Sequence, residues 1–232
     1  IGTGNYNEKT ATLYTDLSLI TANQNIGRDA QEVFRTLLLG ETVEQSTDLL
    51  VAPRGLQEAI LEKIRKEGRK AEEGRGGYIG LKLNALTDKD IIDALIEASE
   101  KGAVIQLLIR GICCLIPGIP GKTENITVHS VVGRYLEHSR IYRFGQGDAE
   151  EIYIASADFM TRNTLRRVEV AAPIYDEENR NRVREIFDLG FRDTEKGKVL
   201  LADGLYHDPE NSGDERFDSQ DFFYREAYKS VE

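Results

Sequence analysis

Apolar residues lie along the chain in short clusters whose spacing divides it into alternating strands and helices. Leu17, Leu19 and Ile20 predict a short strand after a polar, glycine-rich turn at Gly2 to Asn7. From Asn25, the positions Ile26, Ala30, Val33, Phe34, Leu37 and Leu38 recur at helical spacing, and Gly40 stops the helix. Residues 41–47 are polar and mark a boundary. Asp48–Ala52 then reads as a short apolar strand, and Leu56, Ile60, Leu61 and Ile64 share one face of a helix. The charged, glycine-containing stretch Lys66–Gly77 reads as a loop. Strands follow at Tyr78–Leu83 and Ala103–Ile109; between them Thr87 caps a helix, with Asp90 three residues on and Ile91, Leu95 and Ala98 inward. Further strands fall at Ile126–Val132, Ile141–Phe144, Ile152–Ala155 and Val168–Ala172, and a helix over Asp176–Leu189. Strands separated by helices of this length predict an α/β fold, a layered sheet flanked by helices.

Composition narrows the picture. The 232 residues suffice for one large domain or a domain plus a fragment, and 40% hydrophobic content supports a packed core. No apolar run approaches the ~18 residues of a membrane span, and no charged-then-apolar leader opens the chain. It starts Ile1-Gly2-Thr3-Gly4-Asn5 without an initiator methionine, as a segment of a longer protein would. A net charge of −10 argues against a general nucleic-acid binder, although a local basic cleft can hold an anion on an acidic protein. Residues 203–232 carry nine of the acidic side chains against three basic ones, and Phe222, Phe223 and Tyr224 among them make this tail a docking helix or a mobile end. The two cysteines, Cys113 and Cys114, are adjacent, a spacing that disfavours a disulfide, so a reducing cytoplasm is expected.

The chemistry rests on few residues. There are three histidines. His129 sits mid-strand among valines, as a structural or surface residue does, and His207 lies in the acidic tail where solvent reaches it. His138 opens His138-Ser139-Arg140, which on a strand turns His138 and Arg140 to one face. Ser156-Ala157-Asp158 and Met160-Thr161-Arg162-Asn163 follow the next strand. An imidazole beside a guanidinium, with hydroxyl, carboxylate and amide groups nearby, is the equipment of phosphoryl transfer; a packed, hydrogen-bonded histidine is the plainer alternative. Gly2-Thr3-Gly4-Asn5 can cradle phosphate with its backbone and with Thr and Asn donors, or be a tight turn only. Arg110 closes an apolar strand and is followed by Gly111; ligands gather at such strand ends, so Arg110 reads as a phosphate ligand.

Taken in order, these segments resemble the C-terminal half of the polyphosphate kinases. The matching stretches are Gly-Thr-Gly-Asn-Tyr-Asn-Glu-Lys-Thr-Ala at 2–11, Leu-Tyr-Thr-Asp at 13–16, Ile-Arg-Gly-Ile-Cys-Cys-Leu at 109–115 and Val-Gly-Arg-Tyr-Leu-Glu-His-Ser-Arg at 132–140. Ser-Ala-Asp-Phe-Met-Thr-Arg-Asn at 156–163 and Arg-Arg-Val-Glu-Val at 166–170 complete them. The resemblance implies a phospholipase D-like architecture. Residues 1–48 are then the end of a first such domain, 49–200 a second, and 201–232 an acidic tail. It implies reversible transfer of the ATP terminal phosphate to inorganic polyphosphate through a phosphohistidine upstream of this chain, which is expected to be inactive alone. His138 matches the opposing, catalytic histidine that binds ATP, and Tyr14 and Arg110 match other ATP contacts. Gly2, Thr3, Gly4, Asn5, Arg140, Asp158 and Asn163 are expected near phosphate.

Magnesium is the implied cofactor, its ligands upstream and none in this chain. The implied partners are ATP or ADP, polyphosphate, the parent's upstream domains and further copies in a homo-oligomer, with no nucleic acid. The implied location is the cytoplasm, with peripheral attachment to the inner membrane face as a variant. Arg140 stands where the wider superfamily has lysine, Gly145 where it has aspartate, and Asp158 where it has asparagine. The competing readings are a phospholipase D-like phosphodiesterase and a non-catalytic nucleotide- or polyphosphate-binding domain.

Overall fold

The computed structural model describes residues 1–43, 46–210 and 216–229. In chain order the elements are α1 (Glu8–Ala11), β1 (Tyr14–Thr15), α2 (Gln24–Leu38), β2 (Leu50–Val51), α3 (Leu56–Glu72), β3 (Tyr78–Leu83), α4 (Lys89–Glu100), β4 (Val104–Ile109) and β5 (Ile126–Val131). They continue with β6 (Leu136–Glu137), β7 (Arg140–Phe144), β8 (Glu151–Ala155), α5 (Thr161–Leu165), β9 (Val170–Pro173), α6 (Glu177–Phe191), β10 (Gly197–Leu200), β11 (Tyr206–His207) and α7 (Ser219–Lys229). Nine strands form one sheet in the order β11-β10-β5-β4-β3-β7-β8-β9-β2, and β1 pairs with β6 apart from it. The fold is the expected α/β layered sheet with helices against it.

The strands β3, β4 and β5 run parallel, whereas β7 is antiparallel to β3 on its other side. Alternation along the strands feeds two cores. Ile79, Leu81 and Leu83 of β3, with Ile105, Leu107 and Ile109 of β4, join Leu56, Ile60 and Ile64 of α3 and Leu95 of α4. Leu108, Val131, Ile141, Ile152 and Ile154 face the other way, toward Val183 and Phe187 of α6. Every residue of β3 and β7 is buried, so this centre of the sheet is covered on both faces.

Several sequence-based expectations need correction. The helix α3 runs on to Glu72, through most of the stretch read as a loop. Glu67 is buried and accepts the Tyr78 backbone N–H at 3.3 Å and the Lys70 ammonium at 2.6 Å. At Gly68 a side chain would stand 3.2 Å from the Ala98 Cα of α4, so the glycine permits close helix packing that offsets its low helix propensity. The cap of α4 is Asp88, whose carboxylate accepts the Ile91 N–H, rather than Thr87. The short strand near residue 20 is instead β1 at Tyr14–Thr15. Leu17 and Leu19 pack beside the α6 core, while Ile20 is exposed. On α2 the inner face is Ile26, Ala30 and Val33, packed with Val43, Leu49, Val51 and Ala172, whereas Phe34, Leu37 and Leu38 are exposed.

The tail docks. The Asp193 carboxylate takes the Ser219 N–H at 2.8 Å and its hydroxyl at 2.6 Å, starting α7 beside α6. Both cysteines are free thiols, and burial raises the Cys113 pKa. Among the described residues, no helix is long and apolar enough to cross a membrane.

Asp88 ties three helices. Besides capping α4 it accepts Gln57 Nε2 of α3 at 2.9 Å and the Thr164 hydroxyl of α5 at 2.7 Å. Asp88→Ala is expected to lower stability in urea denaturation by roughly 2–3 kcal/mol, a lost cap plus orphaned buried donors. Thr87→Ala is expected to stay within about 0.5 kcal/mol of the parent; equal losses would return the capping role to Thr87.

Candidate functional site

His138 is placed by the N-terminal segment. The parallel pairing of β1 with β6 sets Tyr14 opposite Leu136 and Thr15 opposite Glu137. The Thr15 carbonyl then receives the backbone N–H groups of His138 at 3.2 Å and Ser139 at 3.1 Å. This register brings the Tyr14 ring to 4.6 Å from the His138 ring, tilted by 35°. It also brings the Asp16 carboxylate to 2.9 Å from His138 Nδ1. Thr3 holds Asp16 in turn: its hydroxyl donates to Oδ1 at 2.7 Å and accepts the Leu17 N–H at 3.0 Å. A side chain at Gly4 would run into the same carboxylate, so the glycine-rich turn closes on Asp16.

The other neighbour of His138 is Arg140. Its Nε and Nη2 both reach the Asp158 carboxylate, at 3.3 and 2.8 Å, and its Nη1 donates to the Thr3 carbonyl at 3.1 Å. Both partners are buried. The Arg140 fork, expected to face phosphate, is thus occupied by Asp158, and Asp158 itself also receives the Asn84 N–H at 2.6 Å. Nη1 of Arg140 remains 3.0 Å from His138 Nε2. The same Nη1 lies 3.1 Å from Nδ1, so Arg140 stands close to both ring nitrogens, while Asp16, which can only accept, faces Nδ1. Burial first, and then the Arg140 charge, push its pKa below the usual histidine value; the Asp16 hydrogen bond and charge act in the opposite sense.

Arg110 ends β4 in the adjacent loop. Its Nε donates to Asn84 Oδ1 at 2.7 Å, and among the described residues no carboxylate pairs with it. It lines a cavity of about 310 Å³ between the sheet and helices α6 and α7, with Asp16, Lys82, Glu137 and Phe223 also on its walls. Lys82 is buried there; it donates to the Ser139 hydroxyl at 2.9 Å and lies 3.1 Å from the Glu137 carboxylate. Desolvation lowers its pKa and the Glu137 charge works against that shift.

The structure therefore brings Tyr14, Thr3, Gly4, His138, Arg140 and Asp158 into one connected group, with Arg110 joined to it through Asn84. The hydrogen bonds of Asn163 run elsewhere: its Nδ2 donates to Glu169 at 2.7 Å, and its buried Oδ1 has no partner. Asn5 is exposed, and Gly2 bridges to Ser18. His129 stacks on Phe191 at 4.0 Å, and His207 is an exposed partner of Asp203, as structural and solvated roles require. Sequence reasoning missed Asp16, Lys82, Asn84 and Glu137. Asp16 closed the matching Leu-Tyr-Thr-Asp stretch without being given a role, and Asn84 stood just past a strand end, but only the sheet register shows what each touches. Among the described residues, no group of three or more His, Cys, Asp or Glu side chains is placed to hold a metal ion.

A histidine bonded to a carboxylate, near an arginine that has no carboxylate partner among the described residues, lies at the strand ends of an α/β sheet, where ligands of such sheets gather. Comparison with known proteins makes the class specific. Residues 49–220 match the family model described as polyphosphate kinase C-terminal domain 2, and residues 1–43 that of C-terminal domain 1. The chain belongs to the polyphosphate kinase family. It is 47% identical to a polyphosphate kinase of Staphylococcus epidermidis over 99% of its own length and 31% of the relative's. With that of Bacillus anthracis it shares 45% identity over 100% of the chain and 33% of the relative. The crystal structure of the polyphosphate kinase from Porphyromonas gingivalis superposes with a TM-score of 0.91 at 39% identity, covering 99% of this chain and 35% of that one. The chain spans about a third of the length of these relatives.

Asp16→Asn is expected to lower the His138 pKa further, because it removes the one nearby carboxylate that favours the protonated ring through a hydrogen bond. Titration of the ring proton by NMR measures this directly, and an upward shift would show that Asp16 does not set the ring's charge.

Proposed function

We propose that this chain supplies one side of a phosphoryl-transfer site that moves the terminal phosphate of ATP reversibly to and from inorganic polyphosphate. The observation that carries the reading is that Asn84 links His138, whose ring is bonded to Asp16, to Arg110, whose guanidinium has no carboxylate partner among the described residues. In this reading the Arg110 fork binds phosphate oxygens bidentately. An arriving phosphate supplies the negative charge that raises the His138 pKa, and the ring then holds a proton toward the transferring group. Tyr14, half-buried against His138, offers its ring to the nucleotide. The cavity beside Arg110 falls within the size range of small-molecule sites.

The histidine that is phosphorylated is assigned to another region of the parent enzyme. Within this chain His129 is packed on Phe191 and His207 lies on the sheet edge, so neither stands with Arg110. Magnesium would neutralise phosphate charge when bound, through groups other than a cage built from the described residues. The setting is cytoplasmic, and the parent assembles from its own upstream domains and further copies.

The test uses the full-length enzyme and this chain in parallel. Labelled ATP, magnesium and a polyphosphate primer should give acid-stable labelled polyphosphate with the full-length enzyme, none with the chain alone, and product again when the upstream region is added as a second polypeptide. Label appearing only as free phosphate would favour a hydrolase, and synthesis by the chain alone would make His138 the nucleophile. Arg110→Lys keeps the charge but loses the fork. It should weaken nucleotide binding by roughly 1.5–3 kcal/mol, read as a raised Kd.

A further inference from the structure

Asn84 was invisible as a functional residue in the sequence, yet it bonds to Asp158, Arg110 and His138 of the site. It is the first residue past β3, the strand at which the sheet changes sense. On one side β3 runs parallel to β4, with Leu83 opposite Ile109, so the next residue lies beside Arg110. On the other side β3 is antiparallel to β7, with Lys82 opposite Ile141, so the same residue lies beside the approach to β7 that carries His138. Asn84 alone occupies the point where those two neighbours meet.

Each of its four polar groups is used. The backbone N–H donates to Asp158 Oδ1 at 2.6 Å, the carboxylate that holds Arg140. The carbonyl accepts the Gly111 N–H at 2.9 Å, and a side chain at Gly111 would come within 2.8 Å of that carbonyl. The side-chain Oδ1 accepts Arg110 Nε at 2.7 Å. The side-chain Nδ2 donates to the His138 carbonyl at 3.1 Å. The amide orientation is dictated by its partners, since an arginine can only donate and a carbonyl can only accept. Asn84 is itself buried, at 7% exposure. Aspartate could keep the side-chain contact to Arg110 and not the one to the His138 carbonyl, and alanine neither of these two.

We infer that Asn84 is a positioning residue that couples Arg110 to His138, holding guanidinium and imidazole at one separation for phosphate transfer. The coupling is geometric; its use in transfer rests on the function proposed above. Because the bond to Asn84 takes Nε, it leaves both Nη groups of Arg110 to meet a ligand, and it fixes the plane in which they lie.

The test reads structure and binding separately on this chain. The Arg110 Nε–H and the His138 ring are followed by NMR, and inorganic tripolyphosphate binding by calorimetry. Asn84→Ala should shift both sets of signals. Asn84→Asp, of the same shape, should leave the Arg110 Nε–H protected while the His138 signals move. In binding, Asn84→Ala and Arg110→Ala should each weaken tripolyphosphate affinity about tenfold or more, and the double variant should be little worse than Arg110→Ala alone. Signals unmoved in either Asn84 variant, or losses that multiply in the double variant, would overturn the coupling. If Asn84→Ala does not fold by thermal melting, the Asp variant decides the point by the same signals. Absence of tripolyphosphate binding by the unaltered chain would count against the proposed function, and the NMR result would still decide whether Asn84 joins the two residues.

Discussion

The buried ion pair between Arg140 and Asp158 is the constraint on which the rest of the site depends. It joins the start of β7 to the loop after β8, and the remaining donor of Arg140 reaches the Thr3 carbonyl in the N-terminal turn. Asp158 has spare acceptor capacity, which the backbone N–H groups of Asn84 and Ala85 take up. Two charges removed from water are tolerated because their hydrogen bonds are satisfied on every side; removing one partner leaves the other stranded, typically at a cost of about 3–5 kcal/mol. A lysine could not reproduce the two-pronged contact, so arginine at this position follows from geometry.

From that anchor the charges are graded outward. Arg140 is engaged by Asp158 and the Thr3 carbonyl and keeps Nη1 3.0 Å from His138 Nε2. Burial and the Arg140 charge hold the His138 pKa below the usual histidine value, against the opposing effect of Asp16. Arg110 has no carboxylate partner among the described residues and lines a cavity whose walls mix apolar side chains with Asp16, Lys82 and Glu137. On a chain with net charge −10, a guanidinium free of carboxylate partners among the described residues is a local point of attraction for an anionic ligand.

The sheet explains why these residues meet although they are far apart in the chain. Parallel strands send the loops after β3 and β4 to one end, and the antiparallel neighbour β7 begins at that same end. The ends of β3, β4 and β8 and the start of β7 therefore converge, and β1, paired with β6, closes the group from the N-terminal side. The α7 helix covers the flank, with Gln220 donating to the Tyr135 carbonyl and to Glu137, each at 2.8 Å.

By itself the sequence determined the central strands β3, β4, β5, β7 and β8, because apolar residues cluster or alternate along them at strand spacing. It also singled out His138, Arg110 and Tyr14, residue types with distinctive chemistry in quotable motifs. Its misreadings were all places where a distant contact overrides a local preference. Gly68 breaks the helical pattern in sequence yet sits inside α3, because Ala98 needs the room. Asp88 outcompetes Thr87 as a cap because Gln57 and Thr164 also bind it. Asp16, Lys82 and Asn84 are ordinary polar residues until register brings partners to them, and the arginine expected to face phosphate is instead enclosed by Asp158. Periodicity and composition report which residues leave water. Which polar atoms satisfy one another once there depends on strand order and register, and only the tertiary structure decides that.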